Sequence, residues 1–203
     1  MKTIPLLCLL ALSAASAEPL IPIPELGTGK YQGFTGGLYS DGANEPSGPH
    51  ADALKARCAQ VQSLDAAGKP SPAGRIVIAG VGASVCRQIF DQLERTGAQT
   101  AGIHPAVVFV NCAVGGADMN RIADDRYWEK AEAALAAKGV TDAQVQVVWY
   151  QSDDLRDQRD DFPGRPQRIA TTLAEQMKLI AKHFPNAAPL LPQRAPHHRV
   201  HAG

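Results

Sequence analysis

The chain has 203 residues, with 20 basic and 20 acidic side chains and a formal net charge of zero at pH 7. A balanced charge with no basic stretch in its body lacks the footprint of a nucleic-acid binder, so no nucleic-acid partner is expected. Hydrophobic residues make up 45% of the chain. That is enough for one domain with a proper core, and beyond the first residues no segment has the length of a membrane span.

Lys2, the apolar run Ile4 to Leu12 and the small residues Ala15-Ser16-Ala17 form the pattern of a secretory signal over residues 1–17. The expected product is therefore exported, periplasmic or extracellular, with a mature start at Glu18. Residues 18–50 are rich in Gly, Pro and Asn, with Tyr31, Phe34 and Tyr39 interleaved. This composition predicts no regular structure before about His50, and the aromatics favour an ordered loop over a solvated linker. Ala51 to Val61 reads as a short helix and Leu64 to Gly74 as a turn-rich connection.

An alternation of strand and helix then begins. Ile76 to Ala79 reads as a buried strand, Val85 to Arg95 as a helix, and Ala106 to Asn111 as a second strand with β-branched residues. Asp124 or Asp125 can cap a helix running to Lys138, which Gly139 stops. Val145 to Tyr150 is a third strand. Arg168 to Phe184 is a long amphipathic helix with Ile169, Leu173, Met177 and Ile180 on one face, and Pro185 ends it. Strands separated by helices predict an α/β fold with a parallel sheet covered on both sides and a ligand crevice beyond the carboxyl ends of the strands. Ala187 to Leu191 starts a fourth strand, but residues 192–203 lose any apolar period to Pro, Arg and His. The shift resembles out-of-frame translation or a truncated gene, and a disordered tail is expected, leaving the last strand and helix incomplete.

Three turns stand at the carboxyl ends of the strands. Gly82-Ala83-Ser84-Val85-Cys86 delivers a serine to a helix start, where N–H groups can stabilise negative charge. Cys86 occupies the place of the final glycine of the usual nucleophile elbow, so that motif is not met, and a plain turn with Ser84 as helix cap stays open. The dinucleotide fingerprint also fails, and no cofactor is expected. Asn111-Cys112-Ala113-Val114-Gly115-Gly116 is a second glycine turn, able to bring a backbone N–H close to a substrate oxygen. After the third strand, Gln151 or Ser152 can donate into the same crevice, and Asp153 to Arg159 reads as a solvated charged loop. Cys58, Cys86 and Cys112 match no zinc spacing, and no metal is expected; one pair can bridge in an oxidising compartment, the pair being open.

Together these turns resemble the SGNH hydrolases, the GDSL-type lipases and esterases. The chain resembles especially an exported bacterial branch, through Leu26-Gly27-Thr28-Gly29-Lys30-Tyr31 and Gly36-Gly37-Leu38-Tyr39. The resemblance covers roughly residues 25–190. It implies a three-layer α/β/α sandwich of flavodoxin-like type, Ser84 as nucleophile, Gly115 or Gly116 as the oxyanion glycine, and Gln151 where the family places an oxyanion Asn. The expected substrate is a small-molecule or carbohydrate ester, acyl or acetyl. The family's last block is an Asp followed three residues later by the catalytic His; no Asp lies after Asp161, so that block is missing. A serine without a general base is a poor nucleophile, so impaired turnover is expected. His50, His104 and His183 read as structural or solvated, and His197, His198 and His201 fall in the tail. The alternative function is a non-catalytic glycan or small-ester binding protein, with Tyr31, Phe34 and Tyr39 available to stack on sugar rings.

Overall fold

A computed structural model describes residues 21–190. The expected signal, the tail histidines and the expected disordered tail lie outside the described residues. The chain divides into two units, with the boundary between Pro46 and Ser47.

The first unit corrects the expectation of no regular structure before His50. A single helical turn, α1 (Ile23–Leu26), precedes a two-stranded antiparallel hairpin, β1 (Lys30–Tyr31) and β2 (Phe34–Thr35). The hairpin closes through Gln32 and Gly33, both at positive φ (47° and 88°), the twist that tight hairpins demand. The glycine density has a packing cause. A Cβ on Gly37 would overlap the backbone of Gly42, and one on Gly42 would lie 2.5 Å from the carbonyl carbon of Gly27, so main chains meet where side chains have no room.

The second unit starts with α2 (Gly48–Cys58), which begins three residues before the expected helix because Pro49 fits a first helical turn. It buries none of its side chains. The connection that follows anchors Leu64, 5% exposed, to the sheet: Gln146 and Gln62 exchange hydrogen bonds (3.0 and 2.6 Å), and Gln144 Nε2 donates to the Leu64 carbonyl at 2.8 Å.

The alternating elements follow in the expected order: β3 (Ile76–Gly82), α3 (Ser84–Thr96), β4 (Val107–Asn111), α4 (Met119–Ile122), α5 (Asp125–Ala137), β5 (Val145–Gln151), α6 (Gly164–His183) and β6 (Ala188–Leu190). The strands pair in parallel in the order β4-β3-β5-β6. Alternation along the strands sends Val77, Ala79, Val81, Val110, Val148 and Tyr150 to the face covered by α5 and α6. Ile78, Phe109 and Trp149 go to the other face, under Cys86, Ile89 and Phe90 of α3. Gly80 faces α3 as well, and a Cβ there would overlap the Phe90 ring, so glycine lets the helix seat closely.

Several boundaries moved for local reasons. β3 runs three residues beyond Ala79, because its glycines can stay in the ladder against Trp149 to Gln151 of β5. Helix α6 starts four residues before Arg168, since Pro166 in a first turn removes only an N–H that has no helical acceptor. The short α4 has no apolar period and was not expected. Asp124 is the cap of α5, accepting from the Arg126 amide at 2.9 Å.

Candidate functional site

The chain goes from β3 to β4 on one side and then returns to place β5 on the other side of β3. The strand order therefore reverses beside β3, and the carboxyl end of β3 is where such sheets open a crevice. Ser84 follows β3 by two residues. It is the first residue of α3 and is exposed. The cap position belongs to Ala83, which makes no side-chain cap, so the reading of Ser84 as helix cap is not what the fold uses. Among the described residues nothing hydrogen-bonds its hydroxyl. The amides of Ser84, Val85 and Cys86 lie in the first turn, where a helix offers no acceptors.

Gly82 makes the turn possible. Its φ is 151°, and a Cβ would overlap the carbonyl oxygen of Gln151 on the neighbouring strand. Its buried N–H donates to Tyr127 Oη at 2.8 Å, a contact from α5 through the sheet end. The three turns are tied together by main-chain groups: Ala83 N–H to Gln151 O (3.0 Å), Val114 N–H to Gly82 O (3.0 Å) and Met119 N–H to Asp153 O (3.1 Å). Ser152 Oγ adds a bond to Ala117 O at 3.1 Å, so its hydroxyl is spent on the scaffold. Such cross-links hold a site to the precision of the sheet.

Gly115 and Gly116 are exposed at the tip of the second turn, Gly116 at φ 72°. Val114 and Ala117 on either side use their amides within the fold. The intervening glycine amides therefore remain as candidates for a substrate oxygen. Gln151 shares a strand face with Trp149, the face of α3, and its Oε1 is buried with no hydrogen-bond partner among the described residues. Rotation of the amide by 180° puts its Nε2 at the same place, so the side chain can accept or donate. Asn111, in contrast, is bound to α3 by its Nδ2 on Arg87 O (2.9 Å) and Asp91 Oδ1 (2.8 Å).

The charged loop after β5 is less solvated than its composition suggests. Asp157 is buried, its carboxylate held by Arg159 (2.8 Å) and Arg168 (2.5 Å), and those guanidinium groups pull its carboxyl well below the usual range. Asp118, also buried, caps α4 through the Arg121 amide at 2.9 Å and pairs with Arg156 at 3.4 Å. These residues build the rim of the third turn. Asp154 accepts from Asn120 at 3.1 Å and from the amides of Arg156 and Asp157, which closes the loop on itself.

The three described histidines do not complete the site. His104 accepts from the Ala106 amide at 3.1 Å at the amino end of β4, about 16 Å of strand from its carboxyl end. His183 stacks flat on Trp128, ring centroids 4.0 Å apart, on the sheet face opposite α3. Burial in that stack lowers its basicity. His50 lies on exposed α2. Among the described residues the three thiols are free: Cys58 is exposed, while Cys86 and Cys112 are buried in separate clusters. Among the described residues, no group of three or more His, Cys, Asp or Glu side chains is placed to hold a metal ion, and no helix is long and apolar enough to cross a membrane.

Reading the sequence missed Tyr127, Asp118, Arg87 and Arg121, which support or border these turns. Tyr127 is 45 positions from Gly82, and no local pattern marks such a contact. No family model, no curated protein and no solved structure matches the chain.

Proposed function

We propose that this chain is an exported ester hydrolase-like protein of the SGNH type, acting on an acyl or acetyl ester through Ser84. The observation that carries this reading is an exposed serine hydroxyl on the first turn of α3, at the strand-order reversal, with no hydrogen bond to a described residue. The order β4-β3-β5-β6 supports the flavodoxin-like form of the sandwich. In the proposed reaction Ser84 Oγ bonds to the ester carbonyl carbon and its proton leaves. The tetrahedral oxyanion rests on the Ser84 amide and the Gly115 or Gly116 amide, with Gln151 as a third donor. Collapse expels the alcohol, and water then releases the acid from the acyl-serine.

With no imidazole on the Ser84 hydroxyl among the described residues, the proton goes to solvent. Loss of a triad base lowers kcat by roughly 10^6. Slow turnover is therefore the expected behaviour. The test is a neutral fluorophosphonate on the mature chain together with hydrolysis of p-nitrophenyl acetate. Labelling and slow hydrolysis that both disappear in Ser84→Ala support the reading; labelling that persists in Ser84→Ala overturns it. The same absence of an imidazole at Ser84 among the described residues favours a second reading, a binding protein for a glycan or small ester. Ester binding retained in Ser84→Ala, with no turnover by the parent chain, would select it.

A further inference from the structure

Arg87 belongs to the first turn of α3, beside Ser84 on the helix surface three positions away. That is the positive end of the helix, where a cation is disfavoured and acidic residues are preferred; this turn has none. The Arg87 guanidinium lies over the oxyanion turn, its Nη1 3.7 Å from where a Cβ of Gly115 would be. From the other side Arg121 Nη1 lies 3.7 Å from the Cβ position of Gly116 and 3.4 Å from its carbonyl oxygen. Both arginines are exposed. Among the described residues neither has a carboxylate within ion-pair distance.

The neighbouring arginines differ. Arg156 is paired with Asp118, Arg159 with Asp157, and Arg168 with Asp157 and Asp161. Asp124, the acid whose carboxyl Arg121 helps to lower, is already held by Arg126 through two contacts of 3.2 and 2.9 Å. Two guanidinium forks thus flank Gly115-Gly116 with their donors unclaimed by acids, in a place where one of them opposes the helix field. Guanidinium matches a carboxylate with paired N–H donors.

We infer that Arg87 and Arg121 select esters that carry a carboxylate within a few bonds of the scissile carbonyl. The substrate class rests on the ester reading of Ser84; the anion recognition rests on the arginines alone. The carboxylate can belong to the acyl or to the alcohol part, and the ligands below separate the two.

The experiment titrates Ser84→Ala protein, followed by NMR shifts of the Gly115 and Gly116 amides, with monomethyl succinate (acyl-side carboxylate), acetoxyacetate (alcohol-side carboxylate) and methyl butyrate (neutral). At least one anionic ester should bind about ten-fold tighter than methyl butyrate at low salt. The ratio should approach one when Arg87→Gln and Arg121→Gln are added, and Arg87→Lys should restore part of it. Equal binding of all three ligands overturns the inference, as does a preference that survives both substitutions. Both residues are exposed, so the variants should keep the parent's thermal midpoint. Neutral fluorophosphonate labelling of the parent judges Ser84 separately. Labelling without anionic preference sinks the inference and leaves the nucleophile; anionic preference without labelling does the reverse.

Discussion

Tyr127→Phe removes one oxygen atom and tests whether the turn carrying Ser84 is held from behind. Tyr127 is 4% exposed, and its hydroxyl accepts the Gly82 N–H at 2.8 Å. Phenylalanine keeps the ring and its edge-on contact with Trp128, centroids 5.4 Å apart, so packing is preserved. What remains is a buried N–H without an acceptor. Gly82 cannot turn that group to water, because its main chain is committed to Val114 and closes tightly on Gln151. An orphaned buried donor costs about 1–3 kcal/mol. For a domain of this size each kcal/mol lowers the midpoint by about 2–4 °C, so a fall of roughly 2–12 °C is expected. Urea unfolding of the mature protein measures the free energy, and the rate of Ser84 labelling by a neutral fluorophosphonate measures the turn. Labelling should slow several-fold at a temperature where the variant is fully folded. A stability change under about 0.3 kcal/mol with unchanged labelling would refute the argument that the α5 hydroxyl positions the turn.

Two further outcomes follow from the charges and the thiols. Arg159 and Arg168 hold the folded-state pKa of Asp157 below its unfolded value, and Arg168 does the same for Asp161. Their contribution to stability is therefore full above the unfolded pKa of about 3.9 and is lost as pH falls through the lower folded values. Urea midpoints should fall on acidification below about pH 4, and less steeply in Arg168→Met; parallel acid profiles would count against this pairing. Burial pushes the Cys86 and Cys112 thiols up to about 12, whereas Cys58 is exposed. A disulfide reagent at pH 8 should modify Cys58 in the native protein and the other two only in denaturant. Rapid native modification of Cys86 would contradict the α3 packing.

The framework was legible because it rests on local periods. Apolar β-branched runs mark β3, β4 and β5, and the pattern of Ile169, Leu173, Met177 and Ile180 marks the buried face of α6. The hairpin at Lys30–Thr35 was not legible, since strands of two residues carry no alternation and glycines there serve main-chain contact as well as turns. Asp157 shows the same limit in the charged loop. A run of acids and arginines reads as solvated until the fold folds one carboxylate under two guanidinium groups.

Sequence alone determined the parallel α/β alternation and the position of Ser84 just after a glycine turn, because hydrophobic period and glycine placement act over a few residues. Tertiary structure decided the strand order, the face on which each helix packs, and the side chains that meet at the carboxyl end of the sheet. Tyr127 reaches Gly82 across 45 positions, and Arg87 closes on Gly115 from another element. Such contacts depend on how elements pack, and packing is set by the shape of the whole core; no short-range pattern encodes it.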